Sequence, residues 1–204
     1  MVRISKKSII FGLLLVFLFS CSIPEYQDIT RHNYDDLDNF INSDFYSGNT
    51  YVSYPKHKKL EYDYTKLKNY TGYYKVGNPY KINGKTYYPK EDKNYKEVGI
   101  ASWYGDDFHN KKTANGEIYN MHDFTCAHRT LPMPSLVRIT NLQNGKNIVA
   151  RVNDRGPFAK DRIVDVSKNI AKELDFYSQG TTKVKIEFLE KETKEMLEYL
   201  GLNK

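Results

Sequence analysis

Apolar residues are unevenly spread along the 204 residues of the chain. Positions 9–19 are an almost unbroken apolar run, interrupted by Gly12. From 22 to about 96, aliphatic residues are sparse and keep no sustained period. From 95 to 189 the pattern changes to short apolar stretches that alternate with polar positions, the two-residue period of half-buried strands. Val98, Ile100, Ser102 and Tyr104 alternate with Gly99, Ala101 and Trp103. Residues 136–140 and 147–152 are β-prone and flank an Asn144-Gly145 turn. Residues 163–166 read as a short apolar strand with Asp165 inside it. Residues 183–188 alternate cleanly, which turns Val184, Ile186 and Phe188 inwards. One helix is predicted after Ser167, its capping residue, with Ile170, Ala171 and Leu174 on the buried face. A second, short amphipathic helix over 190–204 would use Leu189, Met196, Leu197 and Leu200. The pattern predicts a mainly β domain over 95–189, long enough to bury a modest core.

The apolar run at 9–19 is too short to span a bilayer, which takes about 20 apolar residues. Arg3, Lys6 and Lys7 precede it with no acidic residue, so residues 1–20 read as a signal peptide. The run ends Leu18-Phe19-Ser20-Cys21, close to a bacterial lipobox, which makes Cys21 the expected lipidation site. An uncleaved anchor helix or ordinary secretory cleavage are the other readings. A multiply acylated cysteine attaches a chain stably to a membrane. With Ser22 rather than Asp after it, the expected location is the outer membrane, facing the periplasm. Fourteen of the eighteen tyrosines fall between Tyr26 and Tyr95, and residues 21–78 read as a flexible tether with a reach of roughly 40 Å. Residues 79–94 differ: Asn83-Gly84 between β-prone runs predicts a hairpin arm.

Charge and cysteine usage narrow the chemistry. The formal net charge is +6, and three of the cations are Arg3, Lys6 and Lys7. No Lys/Arg stripe is dense enough to argue for nucleic acid, and the mild excess suits a surface near anionic wall polymers or lipids. With only Cys21 and Cys126, the domain is not a disulfide scaffold, and Cys126 reads as a small buried residue. No metal-ligand spacing, nucleophile elbow or Cys-His signature is present. No metal or cofactor is expected.

Two segments each set an acid among turn-forming residues: Asn153-Asp154-Arg155-Gly156-Pro157-Phe158 and Ala114-Asn115-Gly116-Glu117. Around them stand GIASWYG at 99–105, KTANGE at 112–117, AHRTLPMPS at 127–135, VNDRGPF at 152–158 and RIVDVS at 162–167, with PYKINGKTYYP upstream. In this order and spacing, they resemble the rare lipoprotein A family over about 79–189. The resemblance implies a six-stranded double-psi β-barrel with one or two short helices, preceded by a largely unstructured tether. It also implies lytic transglycosylase activity on peptidoglycan glycan strands and a link to daughter-cell separation, with division-site partners unknown. Many members carry a further C-terminal repeat domain that binds glycan stripped of peptides. The 204 residues contain no match to it, so septal targeting is left open.

Glycosidic cleavage needs a proton for the leaving oxygen and stabilisation of an oxocarbenium-like transition state. When the sugar's own C6 hydroxyl attacks, one acid/base can suffice, because the attack is intramolecular. Asp154 is the expected acid/base, with Glu117 stabilising charge or orienting sugar. Read alone, Asp154 is ordinary turn chemistry and Glu117 a solvated loop carboxylate. His128 is expected among the catalytic residues, as a hydrogen-bond partner to a carboxyl or sugar, the reading that the family resemblance favours; its other reading is a core histidine satisfied by backbone. Asp165 is a rival acid, or simply organises the helix start. Trp103 and Tyr104 are candidates for sugar stacking or for core packing. Arg155 could contact substrate or bind a carbonyl, and Thr113, Asn115 and Ser135 are candidate polar groove contacts. The other class of function is a non-catalytic, expansin-like module that binds or loosens wall through the same groove.

Overall fold

The strand pattern closes on itself. In the computed structural model, which describes residues 62–159 and 161–202, the elements begin with β1 (Tyr80–Ile82) and β2 (Lys85–Tyr87). These pair antiparallel across a turn in which Asn83 and Gly84 both adopt positive φ. Then follow β3 (Lys96–Trp103), β4 (Thr125–His128), β5 (Ser135–Asn141), β6 (Asn147–Asp154), β7 (Arg162–Val166), helix α1 (Lys168–Glu173), β8 (Thr181–Phe188) and helix α2 (Glu190–Tyr199). Strands β3 to β8 form a closed barrel in the order β3-β7-β4-β6-β5-β8. The β3–β7 and β4–β6 pairs are parallel and the others antiparallel. This is the six-stranded double-psi β-barrel implied by the motifs.

The two-residue period explains the core. Val137 and Ile139, Ala150 and Val152, Val164 and Val166, and Val184 and Ile186 are spaced by two within their strands, and all are fully buried. Ile170, Leu174 and Phe176 complete the same cluster. Ser167 caps α1 by accepting from Ile170 N at 3.3 Å. Strand β4 was not visible in the sequence pattern: all four of its residues are buried, so no polar face marks it. It matters for the site, because a bulge at Cys126/Ala127 skips Asn153 and sets Asp154 opposite Ala127.

The signal segment, Cys21 and residues 22–61 lie outside the described residues. Residues 62–78, read above as tether, are docked on the barrel. Tyr64–Leu67 is a short 3-10 turn capped by Asp63. It lowers Leu67 into a second apolar cluster with Leu136, Val149 and Met196, flanked by Tyr62, Tyr64, Tyr70, Leu189 and Leu200. Lys75 then exchanges two backbone hydrogen bonds with Met133, at 2.6 and 2.9 Å. Composition hides this docking because the anchors are tyrosines around one leucine, and tyrosine rings bury area much as aliphatic side chains do.

Leu67→Ala should therefore destabilise the barrel with its docked 62–78 segment by about 2 to 4 kcal/mol, as for a buried leucine, measured by urea unfolding. A change near zero would mean that the segment does not pack there.

Candidate active site

The site begins with a tight loop, 113–117. Thr113 N donates to Glu117 O at 2.8 Å, and Gly116 N donates to Thr113 O at 3.0 Å. Gly116 closes the turn at φ +89, where a Cβ would stand 2.9 Å from the Tyr73 ring, so glycine is required on two counts. Thr113 Oγ1 donates to Asn115 Oδ1 at 2.8 Å, and Asn115 Nδ2 donates to Glu117 Oε1 at 2.9 Å and to Tyr70 Oη at 3.1 Å. Thr113 and Asn115 are buried and bonded within the loop. They shape it rather than line a groove, which corrects the sequence expectation.

Glu117 is correspondingly no solvated loop acid. Its Oε1 accepts from Arg151 Nε at 3.3 Å, and its Oε2 accepts from Arg151 Nη2 at 2.5 Å and Asn153 Nδ2 at 3.2 Å. The pair is almost wholly buried, with side-chain exposures of 9% for Arg151 and 7% for Glu117. Arg151 Nη1 also donates to Tyr62 Oη at 2.8 Å. Every Glu117 oxygen is occupied by a fixed donor, so this carboxylate positions the loop and has no free edge for substrate. Arg151 was not singled out from sequence, because an arginine in a strand reads as a solvated residue on the outer face. It does project from that face, but the 62–78 segment covers it.

What the loop positions is Asp154. Ala114 N and Arg155 N both donate to Asp154 Oδ1, at 2.9 and 2.8 Å. Oδ2 accepts no hydrogen bond among the described residues. Burial pushes the Asp154 carboxyl above its ordinary value, opposed by the two backbone donors and by Arg155. A carboxyl held by one oxygen, open at the other and inclined to keep its proton has the form of a general acid.

His128 is not hydrogen-bonded to either carboxyl. Its Nδ1 accepts from Thr130 N at 3.2 Å and Leu131 N at 3.0 Å. The ring proton therefore sits on Nε2, which donates to Tyr95 Oη at 2.8 Å. Tyr95 donates in turn to Glu97, which Arg129 Nη2 meets at 3.2 Å. Burial, then Arg129 and Arg155, drive the imidazole pKa down to about 3. His128 is thus a neutral core histidine with both ring nitrogens occupied, which corrects the expected catalytic role. Arg155 likewise binds carbonyls: those of Leu131 at 2.7 Å, His128 at 3.2 Å and Val76 at 2.6 Å.

Of the remaining candidates, Trp103 packs on Tyr177 with ring centroids 4.7 Å apart, and Ser135 is fully buried in β5. Tyr104 packs against Tyr119 and Phe108. Its buried hydroxyl lacks a partner. Asp165, on β7, is also inclined to hold its proton by burial, and Arg162 opposes this.

Known proteins agree with this architecture. A family model described as "Lytic transglycolase" matches residues 96–186. Endolytic peptidoglycan transglycosylase RlpA of Rickettsia bellii is 52% identical over 151 residues, 72% of this chain and 66% of that protein. The protein of the same name from Rickettsia typhi is 43% identical over 96% of this chain and 57% of its own length. The Pseudomonas aeruginosa protein of that name reaches 56% over 54% of this chain and 33% of its own. The chain belongs to the rare lipoprotein A family. It spans about two thirds or less of the length of the curated family members it matches. The family segment at 96–186 contains both Glu117 and Asp154. Among solved structures, Streptomyces papain inhibitor aligns with 50% of this chain and 100% of that one at 18% identity and a TM-score of 0.41.

Two outcomes follow from this network. Arg151→Ala leaves the Glu117 carboxylate buried without its partner and should lower stability by about 3 to 5 kcal/mol, read by urea unfolding at neutral pH. His128 is neutral in the fold and protonates near 6.5 when unfolded. The unfolded state therefore binds more protons as pH falls from about 6.5 towards 3, and stability drops. Between pH 7 and 5 this group should remove about 2 kcal/mol. Asp154 and Asp165 act in the opposite sense, but equally in wild type and variant. His128→Asn, whatever its overall stability, should show a flatter change over that interval, by about the same amount.

Proposed function

We propose that the chain is an endolytic lytic transglycosylase that cleaves peptidoglycan glycan strands to 1,6-anhydro-muramic acid ends. The observation that carries the reading is the Asp154 carboxyl, fixed at Oδ1 by Ala114 N and Arg155 N and open at Oδ2. The relatives, endolytic peptidoglycan transglycosylases by name, support the substrate and the reaction class. Protonated Asp154 gives its proton to the glycosidic oxygen as the bond to muramic C1 breaks. The C6 hydroxyl oxygen of the same sugar closes on C1, and its proton passes to the Asp154 carboxylate. Asp154 ends as it began, and no water is consumed. Proton transfer of this kind contributes about 10²- to 10⁴-fold, and the intramolecular attack supplies much of the rest.

The same reading takes Cys21 as a lipidated cysteine that follows a cleaved signal peptide. It places the barrel on the periplasmic side of a bacterial membrane, preferentially the outer one, within tether reach of the wall. It assigns the activity to wall remodelling and daughter-cell separation.

The test is mass spectrometry of soluble products from purified peptidoglycan. The wild-type chain should release fragments ending in 1,6-anhydro-muramic acid. Asp154→Asn should lose about 10²-fold or more while melting like wild type, because the asparagine oxygen can still accept from Ala114 N and Arg155 N. Co-sedimentation with the wall but no products from wild type would favour the expansin-like binding module.

A further inference from the structure

Among the buried polar atoms without a hydrogen-bond partner, those of Arg162 and Asp165 lie on β7, on the far side of Ala127 from Asp154. The strand register sets Ser102, Asp165, Ala127 and Asp154 opposite one another across β3, β7, β4 and β6. The two aspartates therefore stand two strands apart, about 10 Å between backbones at the usual spacing. The only side chain between them in that row is the methyl of Ala127.

Glu117 and Asp165 differ in what their oxygens already do. Both Glu117 oxygens are filled by Arg151, Asn115 and Asn153. Asp165 Oδ1 is buried and has no hydrogen-bond partner. Arg162 Nε faces it at 3.5 Å, also buried and also without a hydrogen bond. Arg162 is steadied elsewhere, by donating from Nη1 to Ser102 Oγ at 3.0 Å. The third orphan is the Tyr104 hydroxyl, on a ring held by Tyr119 and Phe108. Tyr104 N donates to Val166 O at 3.0 Å, which sets the residue next to Asp165 on β7; burial first, and then the charges of Asp154 and Asp165 among others, raise the proton affinity of its hydroxyl. Buried polar atoms without partners are uncommon in folded proteins and call for an explanation. Here three of them gather around one row of the sheet beside the general acid.

We infer that Asp165 is the second carboxylate of the active site: it faces the positive charge that develops on the muramic ring as Asp154 protonates the leaving oxygen, and the Tyr104 hydroxyl hydrogen-bonds the same sugar. The inference rests on the transglycosylase reading. It moves the charge-stabilising role from Glu117, whose oxygens are occupied, to the carboxylate whose oxygen is not. Asp165 acts as the carboxylate, its negative charge supported against burial by Arg162 at 3.5 Å; it forms no bond and exchanges no proton. The proton leaves and returns through Asp154, and the bond broken at C1 is replaced by the bond to O6.

The full-length chain in detergent, with purified glycan strands, tests this by the kcat and KM for release of anhydro ends. Asp165→Asn should lose about 10²-fold in kcat, with KM within about threefold because charge develops only in the transition state. Tyr104→Phe, which removes one hydroxyl, should lose about tenfold. Asp165→Asn that melts cooperatively and turns over at the wild-type rate overturns the proposal. Should that variant fail to melt cooperatively, Asp165→Glu decides: it keeps the charge beside Arg162 but displaces it by one methylene. A kcat lower by about tenfold supports the role, and a wild-type kcat overturns it. Should the wild-type chain release no anhydro ends, the transglycosylase reading fails by itself. Asp165 is then judged by co-sedimentation with peptidoglycan, where binding weakened by about fivefold or more in Asp165→Asn supports a ligand contact and unchanged binding overturns it.

Discussion

The Glu117 carboxylate lies buried against the Arg151 guanidinium, and neither group can lose the other without leaving a naked charge in the barrel wall. Replacing such a pair by apolar residues can be neutral, whereas removing one partner is strongly destabilising. The pair is thus better understood as a device for fixing geometry than as a source of net stability. It ties a loop with few apolar side chains to the middle of strand β6. Because the loop closes on itself through Thr113 and Gly116, the clamp at Glu117 also sets where Ala114 N points. That donor holds Asp154 Oδ1. The proton chemistry is therefore positioned by a residue that takes no part in it.

The same pair extends outward. Tyr62 meets Arg151, Tyr70 meets Asn115, and Tyr73 N donates to Asn115 O at 2.9 Å. Arg155, the residue after the acid, holds Val76 O. The segment at 62–78 is consequently the outer wall of the site. It excludes water from the ion pair, which strengthens the electrostatic hold. Leu67 and its apolar neighbours keep that wall in place.

The barrel itself was legible because its strands obey a two-residue period and its turns carry Asn-Gly pairs. Val184 and Ile186, or Ser167 with Ile170, announce their roles through spacing alone. Strand β4 did not, since burial on both faces removes alternation. The site was half legible. Asp154 and Glu117 stand out as acids among turn residues, but spacing cannot say that one carboxylate is clamped and the other open. That difference comes from Arg151 and Asn153, which look like ordinary outward-facing strand residues; Tyr62 and Tyr70 of the 62–78 segment cover Arg151, and Asn153 donates to Glu117. His128 and Arg155 drew attention as charged or titratable groups within motifs. Arg155 turned out to bind backbone carbonyls, and His128 the Thr130 and Leu131 amides and the Tyr95 hydroxyl.

A barrel that holds one acid by a single oxygen and clamps another completely has divided two similar side chains into different roles by environment. The division rests on Asp154 retaining its proton more readily than a free aspartate does, because burial outweighs its two backbone donors and Arg155. A carbon-13 NMR titration of the Asp154 side-chain carboxyl in the folded chain tests this most directly. A midpoint above 3.8, the ordinary aspartate value, is the expected result. A midpoint at or below it would show the backbone donors prevailing over burial, and would contradict Asp154 as the proton donor.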